Sequence, residues 1–92
     1  MPQTRRSYAA EYEGFRFRME PDDVSTLKAL PDFEGREEPA VAEDFLRAHA
    51  EKWSDALTAA GAHPGEFAVS LDTHQRRARL LQGPTVIFIA EI

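Results

Sequence analysis

The sequence predicts an α+β fold: an N-terminal β-hairpin, a short helix, and one long amphipathic helix packed on a C-terminal three-stranded antiparallel meander. Three observations predict it. Apolar residues alternate on both sides of Glu13-Gly14, recur at i, i+3, i+4 and i+7 between Pro39 and Ala60, and return to a period of two from Phe67 onward. A chain of 92 residues makes a single domain, with residues 1–6 a candidate for disorder.

In the hairpin, a two-residue turn at Glu13-Gly14 sets Tyr12 opposite Phe15, Ala10 opposite Phe17 and Tyr8 opposite Met19 on one face. The other face pairs Glu11 with Arg16, worth a few tenths to ~1 kcal/mol. A slip of one residue would move the aromatic side chains into water, which favours this hairpin over a short helix across residues 4–12. Pro21-Asp22-Asp23 then starts a short helix through Val24, Leu27 and Leu30, since proline suits a first helical position and acids suit the first turn. Pro31 stops it. The charged connection from Asp32 to Glu38, which includes Phe33, is too short for an interdomain linker.

The long helix is expected from Pro39 to Ala60, before Gly61. Its buried stripe is Ala42, Phe45, Leu46, His49, Trp53, Ala56, Leu57 and Ala60, and its solvent face is Arg47, Glu51, Ser54, Asp55 and Thr58. Burial of Phe45, Trp53 and Leu57 contributes roughly 1.5–3 kcal/mol each. In the meander, Phe67 is expected opposite Leu80, Val69 opposite Ala78, Leu80 opposite Ile87 and Ala78 opposite Ile89, all facing the long helix, with Arg76 opposite Glu91 at the rim. Residues 85–92 are almost continuously apolar, as in a strand covered on both faces. This order of elements resembles the helix-cradled-by-a-meander layout of cystatin- and monellin-like folds, which implies a layout and no activity.

Charge and composition exclude several functions. Residues 19–55 hold four basic and eleven acidic side chains, against three of each in residues 56–92, so general binding to a phosphate backbone is not expected. Cysteine is absent, which removes disulfides, thiolate metal sites and a cysteine nucleophile. No apolar segment is long enough for a membrane, no apolar signal core follows Met1, and a cytoplasmic protein is expected. No cofactor and no metal site is expected either: phosphate-binding, hydrolase and metalloprotease motifs are missing, and His49, His63 and His74 lack the close helical spacing that aims two imidazoles at one ion.

The leading expectation is a small non-enzymatic binding or regulatory module acting through protein contact, with another protein or with itself as a homodimer. Its partner-binding residues are Arg77, Arg79, Leu81, Val86 and Phe88, with Arg79 opposite Phe88 and Leu81 opposite Val86, forming an apolar patch rimmed by arginines on the second sheet face. The competing expectation is that the hairpin or the segment around Phe33 covers this face. A slip of one residue in the last strands would remove the patch as drawn. Two alternatives stand beside it. Asp22, Asp23, Asp32, Glu34, Glu37, Glu38, Glu43 and Asp44 form an acidic tract that would dock in the basic groove of a nucleic-acid-handling protein as a phosphate-backbone mimic. A small enzyme would instead use a pocket at His49 and Trp53, with His49 as general base.

Overall fold

The computed structural model describes residues 7–91. The elements are β1 (Tyr8–Tyr12), β2 (Phe15–Met19), α1 (Pro21–Lys28), a 3-10 turn (Pro31–Phe33), α2 (Glu38–Ala59), β3 (Glu66–Asp72), β4 (Arg77–Gln82) and β5 (Thr85–Glu91). The fold is α+β, with hairpin, short helix, long helix and meander in the order the sequence predicts. The expectations for residues 1–6 and for Ile92 fall outside the described residues. All five strands form one sheet in the order β1-β2-β3-β4-β5, antiparallel except for the parallel pair β2 and β3. Parallel neighbours need a long crossover, and α1 with α2 supplies it. The hairpin therefore extends the sheet instead of covering its second face.

The hairpin register is the predicted one: Tyr8 opposite Met19, Ala10 opposite Phe17, Glu11 opposite Arg16 and Tyr12 opposite Phe15. Glu13 and Gly14 both have left-handed backbones, with φ of 49° and 87°, the combination that matches the twist of a two-residue hairpin. A Cβ on Gly14 would lie 3.1 Å from the Cβ of Pro64, so this turn also abuts the loop that leads into β3.

Pro39 stands in the first turn of α2, and the helix buries Val41, Ala42, Phe45, Leu46, Ala50, Trp53, Ser54 and Leu57. Two assignments change. Ala60 is exposed beyond the helix end, and Ser54, expected in solvent, is 2% exposed. The cause is β1, which lies along that flank of the helix. The Ser54 hydroxyl donates to the Tyr12 carbonyl (3.4 Å), the Tyr12 hydroxyl donates to Glu51 (3.2 Å), and the Tyr8 hydroxyl donates to Glu38 (3.0 Å). Thus α2 runs closest to β1 and β2, its Trp53 and Leu57 share one core with Ala78 and Leu80 of the meander, and α1 packs on β3 and α2. A run of aromatic contacts joins the layers: Phe15 and Phe67 meet Phe17, whose ring stands edge-on to Trp53 at 5.5 Å, and Trp53 meets Phe45, which meets Phe33.

The meander keeps its β3 and β4 faces but not its pairing. Val69 lies opposite Leu80 and Leu71 opposite Ala78, two residues from the expected alignment. The Asp72 carboxylate accepts the N–H groups of His74 and Gln75, holding a longer turn over residues 73–76 in which Arg76 takes φ of 54°. Between β4 and β5 the expected pair Leu81 with Val86 is present. A β-bulge follows, after which Leu80 faces Phe88, Arg79 faces Ile89, Ala78 faces Ala90 and Arg77 faces Glu91. The expected pairs of Leu80 with Ile87, Ala78 with Ile89, Arg79 with Phe88 and Arg76 with Glu91 are all corrected by that single extra residue. Phe88, expected on the outer face, turns toward the helix side and packs partly buried against the core.

Candidate functional site

The helix-free face of the sheet divides into two halves of different chemistry. Across β1, β2 and β3, Arg16 lies between Glu11 (3.9 Å) and Glu66 (3.8 Å), and Arg18 between Glu20 (3.5 Å) and Glu66 (3.3 Å). These side chains are about half exposed, so the ladder is a solvated surface that adds little stability.

Across β4 and β5 the face is apolar along Leu81, Val86, Ile87 and Ile89, beside the exposed Arg77 and Arg79. Val86, Ile87 and Ile89 are 44%, 38% and 50% exposed, the large hydrophobic side chains left open to solvent among the described residues, and all three stand on β5. Leu81, half-buried, lies opposite Val86, and Arg79 lies opposite Ile89. The Arg79 guanidinium reaches the Asp72 carboxylate at 3.7 Å. The fold therefore brings Arg77, Arg79, Leu81 and Val86 together as the sequence suggested, and replaces Phe88 with Ile87 and Ile89. Alternation could not reveal this, because a nearly continuous apolar strand carries no polar marker of its faces, and a bulge adds a residue without a signature in the side chains.

β5 is also the edge of the sheet. Between it and α2 lies a hollow of about 260 Å³ lined by Lys52, Trp53 and Ala56 of the helix and by Phe88, Ile89, Ala90 and Glu91 of the strand. A second hollow, about 350 Å³, lies at the opposite edge between β1 and α2, lined by Ala9 to Tyr12, Glu43, Arg47 and Ala50. In that flank Tyr12 has a raised phenol pKa, chiefly through the Glu51 carboxylate.

His49 lines neither hollow. Its ring is half-buried, 4.4 Å from Phe45 and 5.0 Å from Trp53 between ring centres, and its Nδ1–H donates to the Phe45 carbonyl at 2.8 Å. These contacts account for the imidazole as a packed helix residue. His63 and His74 are exposed in separate turns, and no group of three or more His, Asp or Glu among the described residues is arranged to hold a metal ion.

The acidic tract runs from α1 through the connection to the start of α2, and several of its members serve the fold. Glu38 accepts from Tyr8, Asp44 pairs with Arg36, and Asp23 accepts the Leu71 N–H at 3.2 Å, tying α1 to β3. Burial raises the pKa of Asp23; the Leu71 bond opposes the rise, and the neighbouring charges of Asp22 and Glu20 add to it.

No helix among the described residues is long and apolar enough to cross a membrane. Compared with known protein families, with curated proteins and with solved structures, the chain matches none, so the resemblance in element order to cystatin- and monellin-like layouts gains no support from comparison.

Proposed function

We propose that the protein is a non-enzymatic contact module that binds another protein chain through the apolar strip of β4 and β5. One observation carries the reading: the exposed Val86, Ile87 and Ile89 stand close together on an edge strand, with Leu81 opposite Val86 and Arg79 opposite Ile89. Exposed hydrophobic side chains are ordinary when scattered and informative when contiguous. An open edge adds unpaired backbone N–H and C=O groups in the same place. The occupant that fits is an extended, nearly neutral, apolar strand, held by backbone pairing and by alternate side chains over the strip and the adjoining hollow.

Selection of random peptides displayed on phage against the protein and its Ile89→Glu variant tests this. Because Ile89 is half exposed, the variant keeps its fold, with a stability change within ~0.5 kcal/mol. A contact strip enriches sequences with apolar side chains at alternate positions on the natural chain and none on the variant. Equal enrichment by the two would refute it.

A further inference from the structure

We infer that the occupant of this strip is a second copy of the chain, joined by antiparallel pairing of β5 with the second copy's β5 about a two-fold axis at Phe88. The pairing rests on the contact reading above and adds to it the identity and register of the partner.

The two sheet edges differ. β1 has five residues, carries Glu11, and is tied to α2 through Tyr8 and Tyr12. β5 has seven residues, contains neither lysine nor proline, and holds its one charge, Glu91, at its end. Soluble proteins usually blunt an edge with lysine, proline, inward charges or short length, and a bulge is the only such device on β5.

The strand is also complementary to itself. Phe88 is the middle of Thr85–Glu91, and an axis there pairs Ile87, Phe88 and Ile89 of the two copies face to face, while the bulge ends the regular alternation before Val86. Ile87 then lies opposite the second copy's Ile89 and Ile89 opposite its Ile87 on the outer face, while the two Phe88 rings meet on the helix side beside the hollows flanked by Trp53 and Ala56. Glu91 stands at the end of the strand, so in an antiparallel pair the two Glu91 side chains lie at opposite ends and no like charges meet.

Charge favours the same partner. Residues 56–92 balance three basic against three acidic groups, and the acidic excess of the chain lies in residues 19–55. Within the strip Arg79 is already beside Asp72 and Arg77 lies opposite Glu91, so the surface calls for a neutral strand, which β5 is. A strand pair spanning roughly 24 Å buries less than the ~800 Å² per partner of a stable interface. The dimer is therefore weak, forming between micromolar and millimolar concentration.

The test is sedimentation of the full chain across that concentration range, together with disulfide trapping, which is clean because the natural chain has no cysteine. The expected result is a mass that doubles with concentration, an Ile89→Glu variant that stays monomeric with an unchanged melting temperature, and an Ala9→Glu variant on β1 that dimerises normally. Mixing Ile87→Cys with Ile89→Cys should give a trapped pair at least several-fold faster than either variant alone. A natural chain that is monomeric throughout overturns the inference, and peptide selection separately decides whether the strip binds another strand. A dimer that survives Ile89→Glu, or trapping that favours like with like, also overturns it.

Discussion

Trp53 is the largest side chain in the core, 1% exposed, and its indole N–H has no hydrogen-bond partner among the described residues. A buried donor left unpaired costs about 1–3 kcal/mol, so Trp53 both anchors the aromatic run and carries a penalty. Trp53→Ala should destabilise by about 3–5 kcal/mol in denaturant unfolding, whereas Trp53→Phe, which removes the orphan donor and keeps an aromatic ring, should cost less than ~1.5 kcal/mol. Asp23 gives a pH dependence with a definite sign. Its folded pKa lies above the unfolded value, so the fold binds the proton more tightly, and this stabilisation is complete below the unfolded pKa and lost as pH rises through the folded one. Asp23→Asn keeps an acceptor for the Leu71 N–H without the charge. Its stability relative to the natural chain should therefore rise with pH across the carboxylate range and level off near neutrality; a relative stability that falls with pH would contradict the cause assigned to the shift.

At the scale of elements, the hairpin and α2 were legible because each has one polar and one apolar face, and a wrong register would put Tyr12, Phe17 or Phe45 into water. Ser54 was not legible, because its burial comes from β1, a distant segment whose position depends on the parallel pairing of β2 with β3. β5 was legible as a strand but not in phase, since Val86, Ile87, Phe88 and Ile89 are all apolar and either phase satisfies the pattern. The bulge sets the phase, and deletion tests it. Removing Ile87 leaves Leu81 opposite Val86 and Leu80 opposite Phe88 in an unbroken ladder, so the fold should persist with a change of ~1 kcal/mol or less. Removing Phe88 instead takes the ring from the helix side and brings Ile89 beside Ile87 in its place, at a cost of roughly 2–4 kcal/mol. Thermal unfolding of the two deletions checks the difference.

At the scale of the molecule, both helices lie on one face of the sheet. α2 runs closest to β1 and β2, α1 packs on β3, and β5 is the edge strand with an apolar outer face and a hollow between it and α2. The apolar strip was thus partly readable from Arg77, Arg79, Leu81 and Val86, while its exposure follows from the crossover placing both helices on the other face, which no local pattern encodes. Because the strip is apolar and its arginines are locally balanced, association through it should change little with added salt. Docking of the acidic tract on a basic groove would weaken steeply under the same titration. The most direct measurement is the broadening of side-chain methyl NMR signals by a soluble paramagnetic probe, taken at low and at high protein concentration. Ile87 and Ile89 should be open to the probe in dilute solution and shielded in concentrated solution, with Leu80 shielded in both. Isoleucine methyls that are shielded even on dilution, or equally open at both concentrations, would contradict a self-pairing apolar edge.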